Sequence, residues 1–518
     1  MFKSTLPRIR FVWVNATLLT VAMLLASVTA NAQPRGEAQF GMGPAVTREI
    51  VAAAAAAKTP IAEGPFEPTW ESVRKNYQVP QWFVDGKFGV FMHWGVYSVP
   101  AYHNEWYEKH MYAAYIDWHS EHFGPQVKFG YKDFIPQFTC EKFNADEWAE
   151  LFKKSGAKYV IPTAEHHDWF SLWDSDVSPW NAVKMGPKRD LIGQLGTAVR
   201  KQGLKFGVSN HSIEHYTFIQ PRSGLKSDLD DPQTQDFYWT QHNDERLQKF
   251  LELWVAKNLE LIDKYQVDML WFDNGVNHRA YDPLKLKVAA YDYNRAREWK
   301  KDVSISTKDH AYLAGSILDF EKIGRSPKEI LPGAWQTDEP IGSTWGYTND
   351  MKVAGEGTII SKLVDLVSKN GNLLLNLSPK ADGTIPDDQK QTLVETGQWL
   401  EVNGDAIYGT HAWTKSSEGS GRNSYRFTVK GDGLYAIAMT WPGEQAVITS
   451  LATGKAPEGK IESVTLLGHA GKLEFTQDAD GLKVKMPANQ PCKFAFAFKI
   501  TGLKMNPAAP PALAQSPR

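Results

Sequence analysis

The stretch VDMLWFDNG, residues 267–275, reads as a β-strand that ends on a carboxylate. Val267, Met269, Leu270, Trp271 and Phe272 are apolar or β-prone, and Asn274-Gly275 supplies a turn. Asp273 stands between them. A lone carboxylate withdrawn from water is costly unless a cation or hydrogen-bond donors meet it. The strand therefore predicts a polar partner set at its end.

Outward from this strand, short β-like runs alternate with helical patterns. The runs are KFGVFMHWG (87–95), KYVIPTAEH (158–166), LKFGVSNH (204–211), VDMLWFDN (267–274), VSISTK (303–308), SILDFE (316–321), AWQTDE (334–339) and GNLLLNLSP (371–379). Between the third and fourth, residues 246–265 keep helical spacing through Leu247, Phe250, Leu251, Trp254, Val255, Leu261, Ile262 and Tyr265. EWAELFKKSGA leads into the second run in the same way. Such alternation predicts an α/β (β/α)8 barrel over residues 66–410. A doubly wound open sheet is the alternative, but no Gly-rich phosphate loop follows the first strand. After Tyr408 the period changes to two. YRFTVKGDGLYAIAMTW, SVTLLGH, KLEFTQDADGLKVKM and KFAFAFKI predict a small antiparallel β-sandwich over 411–503.

The ends of the chain have their own texture. Lys3, Arg8 and Arg10 precede the apolar run TLLTVAMLLASV, and Ala30-Asn31-Ala32 fits a small-residue cleavage site. A signal peptide over 1–32 is expected, with export to the periplasm or the medium and no membrane span once it is removed. Residues 33–65 read as an Ala/Pro-rich linker with room for one short helix, and 504–518 as a disordered tail. Export permits disulfides, yet Cys140 and Cys492 are the only cysteines and are expected to stay unpaired.

Composition narrows the function. Lys+Arg 57 against Asp+Glu 59 leaves a formal net charge of −2, which argues against nucleic acid as a partner. The chain carries 19 Trp, 19 Tyr and 25 Phe; beyond a core, such rings suit the C–H faces of sugars. The strand ends collect His93, Glu165, His166, His167, Asn210, His211, Asp273, Lys308, Asp309, His310, Asp319, Glu321, Gln336, Asp338 and Glu339. Barrel enzymes place their chemistry at that rim. A metal centre is disfavoured: His93 lacks a second His two residues away, and adjacent strand residues such as His166 and His167 face opposite ways unless the strand ends between them. No cofactor is expected. A neutral, aromatic, carboxylate-bearing rim suits glycoside hydrolysis, which needs two carboxyl groups flanking the scissile bond.

WFVDGKFGVFMHWGVYSVPAYHNEWY, KYVIPTAEHHDWFSLWDS, WFDNG, STWGY and SKNGNLLLNLSPKADGTIP, in that order, resemble the α-L-fucosidases of glycoside hydrolase family 29. The resemblance covers 66–410 well and 411–503 loosely. It implies a retaining exo-enzyme acting on fucosylated oligosaccharides or glycoconjugates, with Asp273 as nucleophile. It implies a fucose pocket shaped by His93, Glu105, Trp106, His166, His167 and Trp271. Three departures stand out. GVSNHSIEHY replaces the Tyr-Tyr-Ser of many relatives, so His211 is expected in the pocket Tyr's role, with Tyr216 as substitute. STKDHAY lacks the fifth-strand Arg, leaving Lys308 as the cation. Gln336 stands where some relatives carry the acid/base Glu, so Glu321 is expected as acid/base, ahead of Glu339 and Glu329. A carbohydrate-binding protein on a decayed barrel, a metal-dependent barrel hydrolase and a glycosidase for another pyranoside remain alternatives. Oligomeric state is not legible.

Overall fold

The computed structural model describes residues 46–505. The expected signal peptide, the start of the linker and almost all of the tail lie outside the described residues. Eight parallel strands close into a barrel in chain order: β1 Phe88–Met92, β2 Tyr159–Glu165, β3 Lys205–Asn210, β4 Met269–Phe272, β5 Ser304–Lys308, β6 Ser316–Asp319, β7 Trp335–Pro340 and β8 Gly371–Leu377. Seven fall inside the runs read from sequence, and β7 extends one residue past its run, to Pro340. The apolar runs lack alternation because both faces are covered, one by barrel-interior side chains and one by helices.

Helices begin where the sequence supplies caps. Asn144 Oδ1 accepts from the amides of Asp146 and Glu147 ahead of Ala145–Lys154, and Asn243 Oδ1 accepts from Arg246 ahead of Asp244–Tyr265. The latter buries Leu247, Phe250, Trp254, Leu261 and Ile262 against the barrel. Over its described part, the segment expected as a linker is packed. Helix Arg48–Ala56 buries Val51 and Ala54, Lys287 Nζ donates to the carbonyls of Ala55 and Ala57, and Asn294 Nδ2 donates to those of Ala62 and Phe66. Its alanines are small enough for close approach, which composition alone reads as low complexity.

The C-terminal part forms a five-stranded antiparallel sheet in the order Gly459–Leu466, Phe496–Leu503, Gly433–Ala438, Tyr425–Lys430, His411–Glu418. A three-stranded sheet, Gln445–Ile448, Leu482–Lys485, Phe475–Gln477, faces it across a core that includes Phe427, Leu434, Val464, Val484 and Phe498. Trp413 and Trp441 pack edge-on against Phe427 and Phe496. The junction with the barrel is tied by Trp399 Nε1 donating to Phe494 O at 2.7 Å and by an Arg426–Asp365 ion pair at 2.7 Å. Cys140 and Cys492 are free thiols, and no helix among the described residues is long and apolar enough to cross a membrane.

Candidate active site

β3 and β4 pair in register from Gly207–Met269 to Asn210–Phe272, so their ends are held rigidly side by side. Asp273 emerges directly after β4 with its side chain 12% exposed. The predicted partner set is present. Lys308 Nζ donates to Asp273 Oδ1 at 2.8 Å. On Oδ2, His211 Nδ1 lies at 3.0 Å and His167 Nε2 at 3.5 Å. Burial by itself would raise the Asp273 pKa; Lys308, His167 and His211 outweigh it and hold the carboxyl well below the usual range.

The imidazoles divide by their surroundings. His93 Nδ1 pairs with Asn376 Oδ1 at 2.7 Å, and Asn376 Nδ2 donates to Trp345 O, which fixes the amide as acceptor. His93 is therefore an Nδ1–H donor with a free Nε2. His211 uses both nitrogens, Nδ1 on Asp273 and Nε2 toward Ser209 Oγ at 3.0 Å. Burial depresses the pKa of His93, His166 and His211, the last to about 4, so all three are neutral near pH 7. His167 goes the other way: burial opposes its charge, but Asp273 and Glu214 raise its pKa above the usual value.

β2 ends at Glu165, so His166 and His167 escape the alternation of the pleat. Their ring centroids sit 4.4 Å apart, and His166 lies 4.8 Å from His211 and 5.4 Å from His93. Trp271 is fully buried and forms a floor, its ring 5.1 Å from His211, with Lys308 Nζ 4.9 Å from its centroid. Glu105 is buried and accepts from Gly346 N at 3.2 Å; burial raises its pKa. Trp106 stays 38% exposed at the rim, its centroid 6.1 Å from His167. Tyr216 points elsewhere, its hydroxyl donating to Asn243 O at 3.0 Å.

Glu321 follows β6 on a half-buried turn. Its Oε2 lies 3.6 Å from Lys308 Nζ and 3.4 Å from Arg325 Nη1. One ammonium thus reaches Asp273, Glu321 and the buried Asp338, the last at 3.5 Å. The other two glutamates differ. Glu339 is bound by Lys362 Nζ at 2.5 Å and by Ile323 N at 2.7 Å, an anchor for the turn that carries Glu321. Glu329 is exposed. Gln336 lies inside the barrel, donating to Asp319 Oδ2 at 2.7 Å and Ser306 Oγ at 2.9 Å while accepting from Tyr159. Asp319 Oδ2 also accepts from Trp271 Nε1 at 2.7 Å. Below the rim, then, the interior is a committed hydrogen-bond layer.

Two side-chain sets, His93–His166–His211 and His167–His211–Asp273, bring potential metal-donor atoms within 4.8 Å of one another. They do not fit a resident metal ion: both His211 nitrogens are engaged, and Lys308 already neutralises Asp273. The arrangement suits a polar neutral ring. Sequence reading did not single out Glu214, Asn376 or Trp345, although Asn376 and Trp345 stand in segments quoted for the resemblance and Glu214 in one quoted as a departure from it.

A closed parallel barrel with paired carboxylates and aromatic rings at its C-terminal rim defines a glycoside hydrolase. The alpha-L-fucosidase family matches residues 53–405, and the alpha-L-fucosidase C-terminal domain matches 421–501. The tissue alpha-L-fucosidase of Homo sapiens is 33% identical over 496 residues, covering 89% of this chain and 98% of that protein. That of Bos taurus is 33% identical over 471 residues, 85% and 92% of the two. The structure of Thermotoga maritima alpha-fucosidase in complex with fucose superposes with a TM-score of 0.69 at 32% identity, covering 84% of this chain and 99% of that one. The chain belongs to the alpha-L-fucosidase family.

Proposed function

We propose that the chain is an exo-acting, retaining α-L-fucosidase in which Asp273 is the nucleophile and Glu321 the acid/base. The observation that carries this reading is the Lys308 ammonium, 2.8 Å from Asp273 and 3.6 Å from Glu321. It ties the two carboxylates to one point; a third, Asp338, lies 3.5 Å from the same ammonium but is buried beside Asp319, whereas Glu321 keeps contact with solvent. Retaining glycosidases hold their pair about 5–5.5 Å apart, close enough for one to attack the anomeric carbon while the other protonates the leaving oxygen.

In the first half-reaction Asp273 forms an ester with the anomeric carbon, and the glycosidic oxygen leaves with a proton from Glu321. In the second, Glu321 takes a proton from water, which displaces Asp273 and releases fucose. Asp273 arrives already ionised, stripped of bulk water and oriented by three donors, so little reorganisation precedes attack. His93, His166 and Glu105 bind ring hydroxyls, while His211, committed to Asp273 and Ser209, shapes the pocket wall; the free Nε2 of His93 is an acceptor. Trp106 offers its exposed face to the apolar side of fucose, and Trp271 supports the pocket from beneath. A sugar lacking a hydroxyl at these partners leaves buried polar groups unpaired, which is the source of selectivity.

The test follows hydrolysis of an aryl α-L-fucoside by NMR. Initial release of α-fucose supports double displacement. Initial β-fucose rules out Asp273 as nucleophile, and fucose binding without turnover favours a binding protein. Export is proposed from the N-terminal sequence alone; N-terminal sequencing of the mature chain from its host is expected to start near Gln33.

A further inference from the structure

We propose that Glu214 is a positioning residue which completes a carboxylate–imidazole–carboxylate relay, Glu214–His167–Asp273, and holds His167 as a doubly protonated donor to the nucleophile. The inference rests on Asp273 being that nucleophile and adds a residue that does not touch the reacting atoms.

The geometry leaves His167 little choice. Its Nδ1 faces two acceptors, His211 O at 3.1 Å and Glu214 Oε2 at 3.4 Å. Its Nε2 faces a third, Asp273 Oδ2 at 3.5 Å. A neutral imidazole carries one N–H and presents a lone pair on the other nitrogen. Here either lone pair would point at an oxygen acceptor, so both nitrogens carry protons. Glu214 supplies the countercharge on the side away from Asp273.

Glu214 is built for this place. It ends the short 3-10 turn Ser212–Glu214, which follows β3 and is fixed by Asn210 Oδ1 accepting from Ser212 N at 2.9 Å and Ser212 Oγ at 2.7 Å. Its side chain is 8% exposed, and no other hydrogen-bond donor reaches its carboxylate among the described residues. Gly275, in the turn just after Asp273, has φ +83, and a Cβ there would stand 2.5 Å from Glu214 Cγ. The turn that carries the nucleophile therefore packs directly on the Glu214 stem. Gly275 meets both demands, the left-handed backbone and the close approach.

Charges from every neighbouring element bear on the pair. Asp273 follows β4, Lys308 ends β5, and Glu105 and Lys109 come from the segment after β1. Asp168 and His166 adjoin His167, while His211 and His215 flank the β3 turn and Tyr281 faces Glu214 from beyond β4. Burial lifts the Glu214 pKa to about 7, with His167 pulling against it.

The experiment is 15N NMR of the histidine side chains in the full chain, with His167 assigned by its loss in His167→Gln. In the unaltered protein both His167 nitrogens are expected protonated at pH 7; a single N–H overturns the relay. In Glu214→Gln the His167 pKa is expected to fall by about one unit. kcat should drop roughly ten-fold, the rate equivalent of one pKa unit, with KM little changed. The alkaline limb of kcat/KM moves to lower pH, because His167 loses its second proton sooner without the facing charge. Glu214→Asp, which keeps the charge, is expected to recover part of the loss. Identical His167 titration in Glu214→Gln, or a kcat loss with an unmoved pH profile, leaves Glu214 a packing residue and overturns the proposal. The NMR readout needs no turnover. Absence of fucoside hydrolysis by the unaltered chain would therefore overturn the fucosidase reading while the relay is still judged on His167.

Discussion

The two sides of the candidate site are built differently. Asp273 follows β4, which is locked to β3 over consecutive residue pairs, and both of its oxygens are engaged by Lys308, His211 and His167. Glu321 follows β6, which pairs with β5 over four consecutive residues but with β7 only at Asp319–Gln336, and it rides a turn secured by the Glu339 contact to Ile323 N. The contrast matches the two chemical tasks. A nucleophile must hold one ionised state and one orientation. An acid/base must exchange a proton with the leaving group and then with water, which suits a half-buried turn near the rim. Lys308 is the hinge between the sides.

The largest expected effect breaks the rigid side. Asp273→Asn should lower kcat on an aryl α-L-fucoside by about 10⁴-fold or more, while calorimetry still detects fucose binding. Next comes the partner on the turn after β6. Glu321→Ala should lose roughly 10²–10⁴-fold on a fucoside with a poor leaving group, far less on an activated aryl fucoside. Added azide should then restore turnover and give α-fucosyl azide. Glu339→Gln, which keeps an acceptor for Ile323 N, should stay within about ten-fold of the unaltered enzyme. If the azide signature appeared in the Glu339 variant instead, the assignment of the two glutamates would reverse.

The shared cation ranks third. Lys308→Met removes a charge-assisted hydrogen bond and should cost about 10–100-fold in kcat/KM. The sign of the pH effect is fixed. Lys308 helps hold the Asp273 pKa well below the usual carboxylate value, so its loss raises that pKa, and activity disappears at a higher pH on acidification. A pH–rate profile whose acid limb stays put would show that the imidazoles alone control Asp273. The smallest effect lies far from the rim. Arg426→Ala breaks the partly exposed pair with Asp365 at the junction with the sandwich. It should lower stability by less than about 1 kcal/mol in a thermal melt and leave kcat unchanged.

Legibility followed the same division. The eight strands could be read because an apolar run between turn signals carries its own signature, and Asp273 stood out because a carboxylate at the end of such a run needs a reason. His166 and His167 were harder: whether both face the pocket turned on β2 ending at Glu165, one residue of register that propensity does not resolve. Glu214 was not legible at all. Its role depends on a turn after β3 meeting a turn after β4, and nothing in HSIEHY distinguishes a relay carboxylate from a solvated one. The alanine-rich segment before the barrel failed in the opposite direction, because small residues that read as low complexity are also what lets Arg48–Ala56 pack closely.

The central claim is that fucose becomes covalently attached to Asp273. The direct measurement uses Glu321→Ala with an activated aryl α-L-fucoside, where the first step needs little acid help and the second lacks its base. Intact-protein mass spectrometry should find the chain heavier by one fucosyl residue, and peptide mapping should localise that mass to Asp273. An unlabelled protein that still releases the aryl group in a burst, or a label on another carboxylate, would contradict the account.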